Sequence, residues 1–117
     1  MEKRSDLQDR LFNFSVNVIK LIRELPKGKE YDVINYQLIK ASTSSGANYE
    51  EAQGAVSKAD FVNKIGISLK EMPESNYWIK LIIAITENNQ KWLLMEKESS
   101  ELKSILGSIY SKTSKKR

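Results

Sequence analysis

The chain has 117 residues, 40% of them apolar and 29% charged, and carries a net charge of +4. That length and balance fit one globular domain over residues 1–117 rather than a disordered chain. The chain has no cysteine and no histidine, which removes disulfides, thiolate nucleophiles, the imidazole base, most structural zinc sites and the Glu-x-x-His pairs of di-iron bundles. No glycine-rich phosphate loop is present either, so any catalysis would rest on carboxylates, lysines, tyrosines or serines. The composition argues against an enzyme and implies no cofactor. No long apolar stretch follows the charged start at Met1, Glu2, Lys3 and Arg4, and Lys80 interrupts the best apolar run. That run falls well short of the roughly 20 residues that cross a bilayer, so a cytoplasmic protein without membrane contact is expected.

Leu7, Leu11, Phe14, Val18, Leu21 and Leu25 step by alternating fours and threes, which predicts a first helix with one apolar face. Ser5 or Asp6 can cap its start, and Pro26 ends it by disfavouring helical backbone at Leu25. A second helix is predicted from about Tyr31 to Gln53, with Ile34, Leu38, Ala41, Ser45 and Ala52 inward. Its middle, Ala41 to Ala47, is rich in small residues of mediocre helix propensity, and Gly46 alone costs about 0.8–1 kcal/mol relative to alanine. Small side chains there suit a tight helix crossing; a loop is the alternative.

Ser57 to Asp60 resembles a capping box and opens a third helix along Val62, Ile65, Leu69, Met72, Asn76, Ile79 and Ile83. Pro73 lies inside that pattern. Because the apolar seam keeps its phase across the proline, one kinked helix is expected rather than two helices meeting at Met72. Glu87, Asn88 and Asn89 supply a turn, and a fourth helix is predicted from about Gln90 to Lys112 with Leu94, Leu102, Ile105, Leu106 and Ile109 inward. No segment shows a strand pattern. The expected fold is all-α, an antiparallel up-down-up-down four-helix bundle, with a flexible basic tail over residues 111–117.

Asn48 and Glu51 share a helix face, where a glutamate meets the negative end of the helix dipole. Capping the free donors near Lys58 to Phe61 would relieve Glu51. The functional alternative pairs Glu51 with Glu74 as carboxylates for metal binding or acid–base work. Most other charges fall into spacing-four pairs such as Asp6 with Arg10, Asp60 with Lys64 and Glu87 with Lys91, as on a solvated helix face.

Several of these segments, in order, resemble the 23S rRNA intervening-sequence protein family. The small-residue run through Asn48, Glu51 and Ala52 matches the family's Ser-Asn-Ile-Ala-Glu-Gly motif. Lys58 to Phe61, Ile67 to Glu71 and Glu74 to Trp78 continue the match through the second and third helices. Ala47, Tyr49 and Ala52 depart from the family's usual serine, isoleucine and glycine, and Pro73 is also atypical. The resemblance implies a four-helix bundle and a homopentameric ring. It also implies an association with nucleic acid, because some members are encoded within insertions of large ribosomal RNA genes and a related basic pentamer works with a reverse transcriptase.

Two readings of function follow. One is a homo-oligomeric bundle that binds RNA or DNA, or serves as an adaptor for a protein partner, with Lys3, Arg4, Arg10, Lys112, Lys115, Lys116 and Arg117 as its phosphate contacts. The other is a carboxylate enzyme or metal-binding bundle built on Glu51 and Glu74. Self-assembly is expected from the third helix itself. From Tyr77 to Ile85 only Lys80 is charged, and Tyr77, Trp78, Leu81, Ile82 and Ile85 cannot all face one core when consecutive residues sit about 100° apart. These five are the expected subunit contact.

Overall fold

The computed structural model describes residues 5–115. They form α1 (Asp6–Ile22), α2 (Lys29–Gln53), α3 (Lys58–Ile85) and α4 (Gln90–Ser114), with no strand among the described residues. Each helix packs on its sequence neighbour and α1 closes on α4, whereas the diagonal pairs stay apart. This is the four-helix bundle that the spacing predicts.

Helix boundaries follow from local chemistry. The Ser5 hydroxyl accepts the Gln8 N–H while the Gln8 side chain accepts the Ser5 N–H, a capping box that satisfies two donors at the start of α1. α1 ends at Ile22, a few residues earlier than the spacing suggests. Its last turn tightens into three-residue bonds from Glu24 N–H to Leu21 and from Leu25 N–H to Ile22, after which Pro26 forbids continuation. Ser57 caps α3 by accepting the Asp60 N–H, and the Asp60 carboxylate accepts the Val56 N–H. Asn88, at φ 51°, takes the left-handed conformation that asparagine tolerates. The Asn89 amide then donates to the Ile83 and Thr86 carbonyls and closes the end of α3.

The core contains Leu11, Phe14, Val18, Leu38, Ile65, Met72, Ile79, Ile82, Leu102 and Leu106, all at most 2% exposed. α3 is continuous through Pro73, so the single-helix expectation holds. Its fully buried line includes Ser68, Ser75 and Ile82, while the expected seam residues Val62, Leu69, Asn76 and Ile83 are half-buried. In α4 the buried line is Trp92, Met95, Ser99, Leu102 and Leu106. Leu94, expected inward, is 68% exposed because this line places it on the outer side of the helix. α4 continues to Ser114, so residues 111–114 of the expected tail are helical.

Every junction between neighbouring helices carries a directional polar contact. The Ser15 hydroxyl on α1 donates to the Ser42 carbonyl on α2 at 3.1 Å. Ser45 and Ser68, both fully buried, donate to each other's carbonyls at 2.8 and 2.7 Å across α2 and α3. The Asn76 amide on α3 donates to the Ser99 hydroxyl on α4 at 2.6 Å. Arg10 on α1 forms a two-pronged bond to Glu98 on α4, at 2.9 and 2.6 Å, and reaches Glu101 at 3.0 Å.

The small-residue run of α2 is therefore a helix crossing and not a loop. Its tightness is uneven. At Ser45 the backbones come within reach of a hydroxyl, whereas a Cβ added at Gly46 would meet the Leu11 carbonyl oxygen at an ordinary 3.6 Å. Gly46→Ala should accordingly be accommodated and gain about 0.8–1 kcal/mol of helix propensity. Thermal unfolding followed by circular dichroism should show a rise of about 4 °C; a fall would mean that the α1–α2 crossing is closer than this geometry.

Candidate functional site

Glu51 does not cap α3, because Ser57 already serves that end. Its carboxylate instead pairs with Lys64 at 3.0 Å and raises the lysine's pKa, chiefly through that hydrogen bond and then through its charge. Asn48 turns back along its own helix and donates to the carbonyl and hydroxyl of Ser44. Glu74 accepts the Trp78 indole N–H at 3.3 Å. Lys64 and Trp78 stand about four turns apart on α3, a rise of about 20 Å, so the carboxylates of Glu51 and Glu74 do not form a pair. Among the described residues no group of three or more acidic side chains could hold a metal ion.

The spacing-four ion pairs give way to contacts between elements. Arg10 turns from Asp6 to Glu98 and Glu101, Lys64 from Asp60 to Glu51, and Lys91 reaches Glu24 at 3.8 Å. The hydrogen bond to Glu98, reinforced by Glu101, holds the Arg10 guanidinium above its ordinary range despite partial burial. Arg10 is thus neutralised within the bundle, which removes it from the expected phosphate contacts. Lys112 and Lys115 stand exposed at the end of α4. Lys3, Arg4, Lys116 and Arg117 lie outside the described residues.

The expected contact surface on α3 divides. Ile82 is fully buried in the core of one chain, so it cannot meet a partner. Trp78 and Leu81 are half-buried against that core, with the Tyr77 ring set edge-on to Trp78 at 5.0 Å. Tyr77 and Ile85 are 58% and 44% exposed. The register set by Ser45 and Ser68, carried nine residues along each antiparallel helix, brings Tyr77 level with Tyr36, but nine residues turn each helix by half a turn, so the two rings point away from the α2–α3 junction. Tyr36 and nearby Val33 on α2 are 64% and 59% exposed. α2 and α3 therefore each carry exposed aromatic and aliphatic groups.

Two grooves flank other sides of the bundle. Between α1 and α2, Phe12, Val16, Ile19, Gly46 and Ala47 line an almost wholly apolar groove of about 420 Å³, with Glu50 in its wall. Between the start of α3 and the end of α4, Lys58, Val62, Gly66, Ile67, Lys70 and Tyr110 line another of about 570 Å³. Sequence reading missed both, because each is assembled from two helices. The apolar residues Phe12, Val16 and Ile19, off the main line of α1, read in the sequence as a broad buried face, whereas Phe12 is 61% exposed and the three line this groove.

These features define a small four-helix bundle whose distinctive chemistry lies on its surfaces. A family model of the 23S rRNA-intervening sequence protein matches residues 3–108, and the chain belongs to that family. A solved structure from Bacteroides thetaiotaomicron, described as a protein of unknown function from the S23 ribosomal protein family, is 34% identical. The alignment covers 89% of this chain and 97% of that one, with a TM-score of 0.77. No curated protein matches the chain. No helix among the described residues is long and apolar enough to cross a membrane.

Proposed function

We propose that this protein acts by assembly and binding rather than by catalysis, as a cytoplasmic homo-oligomer joined through exposed apolar groups of α2 and α3. The supporting observation is the exposure of Val33 and Tyr36 on α2 and of Tyr77 and Ile85 on α3. Aromatic side chains are favoured anchors at protein interfaces. A closed ring of more than two members needs two different surfaces on each protomer. The α1–α2 groove supplies a second apolar surface, and a pentameric ring is the assembly that the family resemblance favours. Light scattering after size-exclusion chromatography tests the reading: a mass of several chains at micromolar concentration is expected, and a mass near one chain overturns it.

A second function, nucleic-acid binding by the assembled protein, rests on the net charge of +4 and on exposed lysines in no ion pair among the described residues, Lys112 and Lys115 among them. Repeating such a weak basic surface around a ring would multiply its affinity. Retention of RNA that falls steeply with salt is expected.

A further inference from the structure

The groove between the start of α3 and the end of α4 differs from the bundle's other apolar surfaces in charge. Lys58 and Lys70 lie along it, and among the described residues no carboxylate lines it, whereas Glu50 is in the wall of the α1–α2 groove. Neither lysine is in an ion pair among the described residues. Lys64, on the same stretch of helix, is held by Glu51.

Tyr110 sits between these charges, and α3 is shaped to receive it. A Cβ added at Gly66 would come within 3.2 Å of the Tyr110 Cε1, so glycine lets the ring lie close against the helix backbone. The ring remains 36% exposed at the groove, beside the apolar side chains of Val62 and Ile67. Lys58 and Lys70 are separated by about 18 Å along the helix. A planar aromatic surface flanked by cations and walled by aliphatic groups matches a short single strand, whose bases stack and whose phosphates carry one charge each.

We propose that this groove binds single-stranded nucleic acid, with a base on Tyr110 and phosphates on Lys58 and Lys70. The proposal rests on the nucleic-acid reading above and names its site. An acidic peptide would answer to the lysines but has less use for an aromatic platform, which is why the nucleic acid is favoured.

The test uses the full chain, a fluorescein-labelled 12-nucleotide single-stranded RNA and fluorescence anisotropy across a salt series. Tyr110→Ala should weaken binding about tenfold or more, and Tyr110→Phe should restore most of it. Lys58→Ala with Lys70→Ala should reduce the salt slope by about 1.4, the share of two phosphate contacts on a single strand. Circular dichroism on each variant should show an intact bundle, since these side chains lie at the surface. RNA binding that persists unchanged in both variants would overturn this groove while leaving nucleic-acid binding itself in place. Absence of RNA binding by the unaltered chain would overturn both. Equal or tighter binding of a polyglutamate of matching length would assign the groove to acidic peptides and overturn the proposal.

Discussion

Ser45→Leu is expected to lower the melting temperature by about 10 °C. Ser45 is fully buried, and its hydroxyl reaches the Ser68 carbonyl at 2.8 Å while Ser68 answers at 2.7 Å. A leucine at this position has no free volume and forces α2 and α3 apart, at a cost of about 1–3 kcal/mol for overpacking. Loss of the donated hydrogen bond adds about 1 kcal/mol. Near 4 °C per kcal/mol for a chain of this size, the sum of about 3 kcal/mol gives the stated shift. Ser45→Ala removes the hydrogen bond without adding volume, so it should cost only about 1 kcal/mol. Thermal unfolding of both at one protein concentration separates the effects, because the proposed assembly would make the midpoint concentration-dependent. If leucine proved no worse than alanine, the α2–α3 crossing would not be the close contact described.

Loss of the proposed assembly in Tyr36→Glu with Tyr77→Glu is the second large effect expected. Both rings are well exposed in the single chain, so the substitutions should leave helicity and core packing intact. Two carboxylates buried at a contact would each cost several kcal/mol, enough to reduce the species to one chain at micromolar concentration. The half-buried Trp78 is a poorer probe because its loss would also disturb the core. Ala47→Glu, an exposed position on the α1–α2 groove, should block assembly from the other side. If the aromatic face of one protomer enters the groove of the next, a mixture of the two variants should form a two-chain species, since one intact face and one intact groove remain between them. Formation of larger assemblies by the Tyr36/Tyr77 variant alone would exclude these rings as the contact.

The helices were legible because their signals are local. The steps from Leu7 to Val18, the serine caps at Ser5 and Ser57, and the Asn88–Asn89 turn each depend on residues within a few positions of one another. Partnerships between helices were less legible. Arg10 has Asp6 four residues away yet bonds to Glu98, because spacing records which charges share a helix face and not which helix will approach it. Glu51 departs from its expected capping role for a similar reason: once Ser57 satisfies α3, the nearer cation, Lys64, takes the carboxylate. In α4 the run Trp92, Leu93, Leu94 and Met95 is apolar around the whole helix, so its phase is set by Ser99, a polar residue that pattern reading places outside. Ile82 was assigned outward by the same logic, whereas Ser68 and Ser75 mark the true inner line of α3.

A bundle of four helices held by aliphatic side chains alone has close competitors: the opposite turning sense, or a slip of one helix by a turn, each burying nearly the same surface. The four polar contacts, from Ser15 to Ser42, between Ser45 and Ser68, from Asn76 to Ser99 and from Arg10 to Glu98, remove that near-degeneracy. In any alternative arrangement the buried hydroxyls and amide would face hydrocarbon and lose their acceptors, at about 1–3 kcal/mol for each stranded group. They lower the native state modestly but raise its rivals, which widens the energy gap that singles out one topology.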